Sequence, residues 1–122
     1  LSILIAEDNL MNQRMLELLL QKIGHNVICT NNGKEALERW RKGGVDLILM
    51  DIQMPVMTGA EALEAIRAEE QINGAHLPII ALTADALKGT KDQLLNSGFD
   101  GYLTKPVRTK DLTDELVRVA AD

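Results

Sequence analysis

Short apolar runs alternate with longer segments of helical periodicity, and the alternation repeats five times along the chain. That pattern restricts the fold to a parallel sheet flanked by helices, an α/β architecture. The runs at Leu1–Ala6, Leu47–Met50 and Ile79–Leu82 are nearly continuous in apolar residues, as central strands buried on both faces require. Val27–Thr30 alternates more and reads as an edge strand, and a further run centres on Tyr102–Leu103. Helices are expected over Leu10–Ile23, Lys34–Arg41, Ala60–Glu69, Leu87–Asn96 and Thr109–Ala120. Gly24, Gly43 and Gly98 mark three helix ends, since glycine tolerates the left-handed conformation that closes a helix. In the last helix Leu112, Leu116, Val119 and Ala120 form one apolar stripe.

The 122 residues suffice for one domain with a single core and leave no room for a second. Nothing approaches the roughly 18 consecutive apolar residues of a membrane span, so no membrane contact is expected of this domain. The chain opens inside an apolar run, with no initiator Met, basic n-region or cleavage site, and reads as a domain excised from a longer cytoplasmic chain. Thirteen basic against 18 acidic residues give a net charge of −5 without a basic stripe, which argues against direct nucleic-acid binding. The single Cys29 can form no internal disulfide and reads as a small buried strand residue in a reducing compartment.

The first helix is apolar over more of its surface than a core contact needs. Met11, Met15, Leu16, Leu18, Leu19, Leu20 and Ile23 exceed the roughly 100° arc that faces a core. With Leu16, Leu19, Leu20 and Ile23 toward the sheet, Met11, Met15 and Leu18 form a flank. It can meet a partner helix, for which methionine is well suited, or pack on a neighbouring helix of the same domain.

Chemistry-bearing residues follow the apolar runs. Glu7 and Asp8 follow the first, Asp51 the third, Thr83 the fourth and Lys105 the fifth. A parallel α/β sheet gathers the carboxyl ends of its strands along one edge, so these residues can converge. Each close carboxylate pair would repel by roughly 4 kcal/mol at 4 Å and an effective dielectric near 20. A cation is therefore expected. Hard oxygen ligands with open positions describe Mg²⁺, with Mn²⁺ able to substitute, whereas His25 and His76 lie away from the strand ends and zinc fits poorly. A carboxylate that attacks phosphorus forms an acyl phosphate, and Lys105 and Thr83 supply an ammonium and a hydroxyl for the phosphoryl oxygens. Viewed singly, the Asp could cap a helix, Lys105 could be a surface lysine and Thr83 an N-cap. A cis Lys105–Pro106 bond would aim the lysine over the strand edge.

The motifs Ala6-Glu7-Asp8-Asn9, Met50-Asp51-Ile52-Gln53-Met54-Pro55, Ala81-Leu82-Thr83-Ala84 and Tyr102-Leu103-Thr104-Lys105-Pro106 resemble those of the receiver domain of two-component response regulators, over Leu1 to Ala121. The resemblance implies a flavodoxin-like, doubly wound, five-stranded parallel sheet of order 2-1-3-4-5 with five helices. It implies that Asp51 accepts a phosphoryl group from phosphohistidine, and that Asp8, Asp51 and the Gln53 backbone carbonyl bind Mg²⁺, with Glu7 acting through water. Thr83 and Lys105 would contact the phosphoryl oxygens, and Tyr102 would turn inward as Thr83 moves. Gln53 and Asp85 would tune the lifetime of the acyl phosphate. Such a domain catalyses its own phosphorylation and dephosphorylation and switches through its fourth helix, fifth strand and fifth helix. Thr58 stands before Gly59 where the family usually has Asp, which bears on loop hydrogen bonding more than on chemistry.

Glu7-Asp8-Asn9 followed by Asn12-Gln13, with Met50 to Met57, is similar to receivers fused to hybrid sensor histidine kinases. This implies a histidine kinase or histidine phosphotransfer domain as partner, docking beside the first helix at Met11, Met15 and Leu18. It also allows a phosphorylation-dependent dimer and a parent chain anchored in the inner membrane. Two other readings compete. A degenerate receiver that only binds proteins conflicts with the presence of all five site residues. An aspartyl-nucleophile phosphohydrolase needs an acid two residues after Asp51, where Gln53 stands.

Overall fold

The computed structural model describes residues 1–54, 56–84 and 88–120, the last residue and 88–91 without their side chains. Five strands and five helices alternate: β1 (Ser2–Ala6), α1 (Leu10–Lys22), β2 (Asn26–Thr30), α2 (Gly33–Arg41), β3 (Leu47–Asp51), α3 (Gly59–Asn73), β4 (Ile79–Thr83), α4 (Lys88–Ser97), β5 (Gly101–Thr104) and α5 (Thr109–Ala120). All strand pairs are parallel and the order is β2-β1-β3-β4-β5, with the alternating run Val27–Thr30 at an edge as its pattern implied.

Two-residue periodicity divides the central strands between two cores. Ile3, Ile5, Leu47, Leu49, Ile80 and Leu82 face one side, where Leu16 and Leu20 of α1 and Leu112, Leu116 and Val119 of α5 cover them. Leu4, Ala6, Ile48, Met50, Ile79 and Ala81 face the other, beneath Ala36 and Leu37 of α2, Ala62, Leu63 and Ile66 of α3 and Leu94 of α4. Both faces of β1, β3 and β4 are thereby removed from water, which is why those runs carry so few polar residues.

Some boundaries differ from the sequence reading. Helix α3 runs to Asn73, four residues past Glu69, and closes at Gly74 in the left-handed region with φ of 77°. The extension is anchored by Glu70, buried at 3% exposure, whose carboxylate accepts the Leu77 N–H and a 2.6 Å bond from Arg67. Ile23 is not a core residue. It caps the end of α1 at 37% exposure. Cys29 is half-buried, its thiol 3.7 Å from Glu17 Oε2, and burial first, then Glu17, pushes its pKa up. The expected helix start at Leu87 lies outside the described residues.

Thr58 caps α3 in a reciprocal box. Its hydroxyl accepts the Glu61 N–H at 3.2 Å and the Glu61 carboxylate accepts the Thr58 N–H at 3.0 Å. Gly59 then lets α3 start against the strand that carries Asp51, since a Cβ there would collide with the Asp51 carbonyl oxygen and reach 2.8 Å from Ile52 Cα.

Candidate functional site

Strands β1 and β3 lie side by side at the centre of the sheet, where the chain order reverses and their following segments diverge. A crevice opens at such a switch point beyond the carboxyl ends of the strands. Here it is a cleft of about 500 Å³ lined by Glu7, Asp8, Asp51, Gln53, Thr83 and Lys105, together with Asn9, Asn12 and Gln93. Five residues separated by up to 98 positions in the chain meet there because each ends or follows a neighbouring strand.

One carboxylate oxygen from each of Glu7, Asp8 and Asp51 lies within 4.8 Å of the others. Glu7 is fully buried, Asp51 is 4% exposed and Asp8 faces solvent. Lys105 Nζ donates to Asp51 Oδ2 at 2.7 Å and to Glu7 Oε2 at 3.1 Å and Oε1 at 3.2 Å. The Gln53 N–H donates to Asp51 Oδ1 at 3.0 Å, so both oxygens of Asp51 are held. The Lys105–Pro106 bond is cis, and the Lys105 N–H donates to the Thr83 carbonyl at 2.7 Å. Thr83 is the last residue of β4 and lies 2% exposed at the cleft wall.

The electrostatics are unequal. Burial, and then the neighbouring Asp51 carboxylate, raises the Glu7 pKa to about 7 against the opposing pull of Asn12 and Lys105. Burial pushes Asp51 upward too, but bonds from Glu7, Lys105 and the Gln53 N–H outweigh it and hold Asp51 below its ordinary value. Burial would lower Lys105, yet the two carboxylates keep it above its ordinary value and therefore charged. Three carboxylates against one ammonium leave an excess of two negative charges once Glu7 is ionised. The oxygen-only donor set suits a hard divalent cation.

Tyr102 lies away from this cleft. It is half-buried against the core that contains Leu94 and Phe99, and it lines a separate groove with Leu95, Asp111, Asp114, Glu115 and Arg118. Asp85 falls outside the described residues. Met11, Met15 and Leu18 are 83%, 37% and 50% exposed, so the flank of α1 is largely open, with Met15 also lining a small pocket beside Pro106 and Val107. His25 and His76 precede β2 and β4 at the opposite edge of the sheet, as the argument against zinc required. The sequence reading missed Asn12, which bonds Glu7 at 3.0 Å, and Gln93, brought to the cleft from α4. Neither follows an apolar run, so no pattern in the strands pointed to them.

An acidic, lysine-bridged cleft at the switch point of a 2-1-3-4-5 sheet defines a doubly wound domain whose oxygen donors suit a hard cation. Residues 3–117 match the response regulator receiver domain, and the chain belongs to that family, the receivers of two-component signalling. It is 47% identical over 119 residues to hybrid signal transduction histidine kinase I of Dictyostelium discoideum, covering 93% of this chain and 7% of that protein. The chain thus spans a small part of the length of that relative. Its fold is similar to a chain in the co-crystal structure of the Saccharomyces cerevisiae histidine phosphotransfer protein Ypd1 with the receiver domain of the response regulator Ssk1. There the TM-score is 0.93 and the identity 38%, over 99% of this chain and 89% of that one. It is also similar to the receiver domain of sensor histidine kinase PA1611 of Pseudomonas aeruginosa, with magnesium coordinated in the active-site cleft. The TM-score is 0.88 and the identity 39%, over 99% of this chain and 98% of that one.

Proposed function

We propose that Asp51 is the phosphoacceptor of a phosphorelay, taking its phosphoryl group from a phosphohistidine. One observation carries the reading: a buried carboxylate held 2.7 Å from a lysine ammonium inside a cluster of two further acids. An Asp51 oxygen attacks phosphorus, the O–P bond forms as the P–N bond breaks, and the imidazole leaves with that electron pair. Hydrolysis reverses the state when water attacks phosphorus, regenerating the carboxylate and releasing inorganic phosphate. Asp8, Asp51 and the Gln53 carbonyl would hold Mg²⁺, or Mn²⁺ in its place, with Glu7 acting through water. When bound, the cation supplies positive charge against the phosphoryl oxygens. Lys105 and Thr83 bind the remaining oxygens, and Thr83 and Tyr102 relay the change toward α4, β5 and α5. Gln53, which lines the cleft, and Asp85 are proposed to set the lifetime of the acyl phosphate.

The domain is proposed to be one segment of a longer chain of the hybrid kinase type, a reading supported by its 7% share of the Dictyostelium relative. Its proposed partner is a histidine phosphotransfer domain, docked on the exposed apolar flank Met11, Met15 and Leu18; the Ypd1 co-crystal of a 38% identical chain supports that choice. Incubation with acetyl phosphate and Mg²⁺ is expected to add one phosphoryl mass to the wild type and none to Asp51→Asn, read by intact mass spectrometry. Normal labelling of that variant would remove the assignment. Met11→Glu combined with Leu18→Glu is expected to slow transfer from a phosphorylated histidine phosphotransfer protein at least tenfold while acetyl phosphate labelling is unchanged. Equal loss with both donors would place the defect in the cleft instead of the docking flank.

A further inference from the structure

Glu7 is fully buried, and besides its neighbour Asp51 two side chains donate to its carboxylate. Lys105 Nζ reaches both oxygens, at 3.2 and 3.1 Å, and Asn12 Nδ2 donates to Oε1 at 3.0 Å. The lysine is a shared partner, because the same ammonium lies 2.7 Å from Asp51 Oδ2, where the phosphoryl group is received. A dianionic phosphoryl group on Asp51 competes for that ammonium. The Asn12 amide is neutral, so a phosphoryl group competes for it less than for the ammonium.

The amide is itself fixed. Asn9 caps α1, and its Oδ1 accepts the Asn12 N–H at 3.0 Å, which sets where the Asn12 side chain starts. Gln13, next along the same turn, donates from Nε2 to the backbone carbonyls of Glu7 and Thr30, each at 3.0 Å. The first turn of α1 therefore grips Glu7 twice, by its carboxylate through Asn12 and by its backbone through Gln13. Asn12 also stands in the wall between the acidic cleft and a small apolar pocket lined by Met15, Leu16, Pro106 and Val107. We infer that Asn12 is a positioning residue that holds the Glu7 carboxylate in register for the divalent cation, an inference that rests on the receiver reading of the cleft. Outer hydrogen-bond partners of metal-binding carboxylates typically change metal affinity by about 10- to 100-fold when removed.

The test is Mg²⁺ affinity by calorimetric titration of the wild type, Asn12→Leu, Asn12→Ala and Asp8→Asn, with urea unfolding of each in EDTA. Both Asn12 substitutions remove the donor without adding charge, and leucine keeps the side-chain size. The expected result is an affinity at least tenfold weaker in each, with an urea midpoint in EDTA that does not fall in proportion. A merely structural Asn12 would shift the midpoint and leave affinity alone. In the wild type, the Asn12 side-chain amide resonance is expected to move during the Mg²⁺ titration with the same midpoint as the calorimetric one. Wild-type affinity in either folded variant, or an amide that ignores Mg²⁺, overturns the inference while loss of binding in Asp8→Asn leaves the receiver reading standing. A wild type that binds no Mg²⁺ overturns both.

Discussion

Glu7 shows how a single side chain can work against the ground state of its own site. Its pKa is raised to about 7 from an ordinary 4.5, with burial the largest cause. The folded chain therefore holds this proton more tightly than the unfolded chain does. The resulting stabilisation is complete below pH 4.5 and is lost as pH rises through about 7. Asp51 acts in the opposite sense and in a different window: its depressed pKa contributes stability above its ordinary 3.8, lost only as pH falls through the lower folded value. In EDTA, the urea midpoint of the wild type is expected to fall between pH 5 and pH 8 relative to Glu7→Gln, which carries no titrating group there. Equal pH profiles for the two proteins would show that the Glu7 proton is not coupled to folding. The convergence of Glu7, Asp8, Asp51, Thr83 and Lys105 was legible from their places after apolar runs. Asn12 was not, because its role depends on how α1 is rotated over β1.

Among the elements, α3 is anchored at both ends by devices of different visibility. The Thr58 and Glu61 capping box is a local, three-residue spacing that any sequence reading can see. The anchor at its other end is built from residues far apart in the chain. Arg67 Nη1 meets Glu70 Oε1 at 2.6 Å, Nη2 meets Asp100 Oδ2 at 2.7 Å, and Nε donates to the Gly98 carbonyl at 3.1 Å. Asp100 in turn accepts the Ile79 N–H at 2.8 Å, so the pair of acids ties α3 to the starts of β4 and β5. Removing one partner of a largely buried pair strands the other. Arg67→Ala is expected to cost about 3 kcal/mol in urea unfolding. Arg41→Ala, which loses the bidentate contact of 2.7 Å from the end of α2 to the partly exposed Glu69 of α3, is expected to leave stability nearly unchanged because solvent screens that pair. Comparable losses in both variants would contradict the difference in burial.

For the molecule as a whole, the proposed cation binding would be linked to folding. The acids of the cleft come from the segment after β1 and from the end of β3, so the proposed cation site exists only when the sheet is formed. A ligand that binds the folded chain alone adds stability by mass action, about 2.7 kcal/mol at a hundredfold excess over its Kd. Mg²⁺ is expected to raise the unfolding temperature in proportion to the logarithm of its concentration, EDTA to reverse the shift, and Asp8→Asn to abolish it, all measured by calorimetry. A shift of equal size in Asp8→Asn would place the ion elsewhere.

Hydrophobic periodicity by itself determined the strands, their burial on two faces, the edge position of β2 and most helix boundaries, because burial acts on residues in proportion to their local pattern. It also placed the reactive residues at the ends of strands. Which neutral side chains steady them, where α3 stops, and that Ile23 leaves the core while Met11 and Leu18 remain open were decided by tertiary structure. Those outcomes depend on helix rotation over the sheet and on ion pairs between distant segments, and neither leaves a periodic trace in the chain.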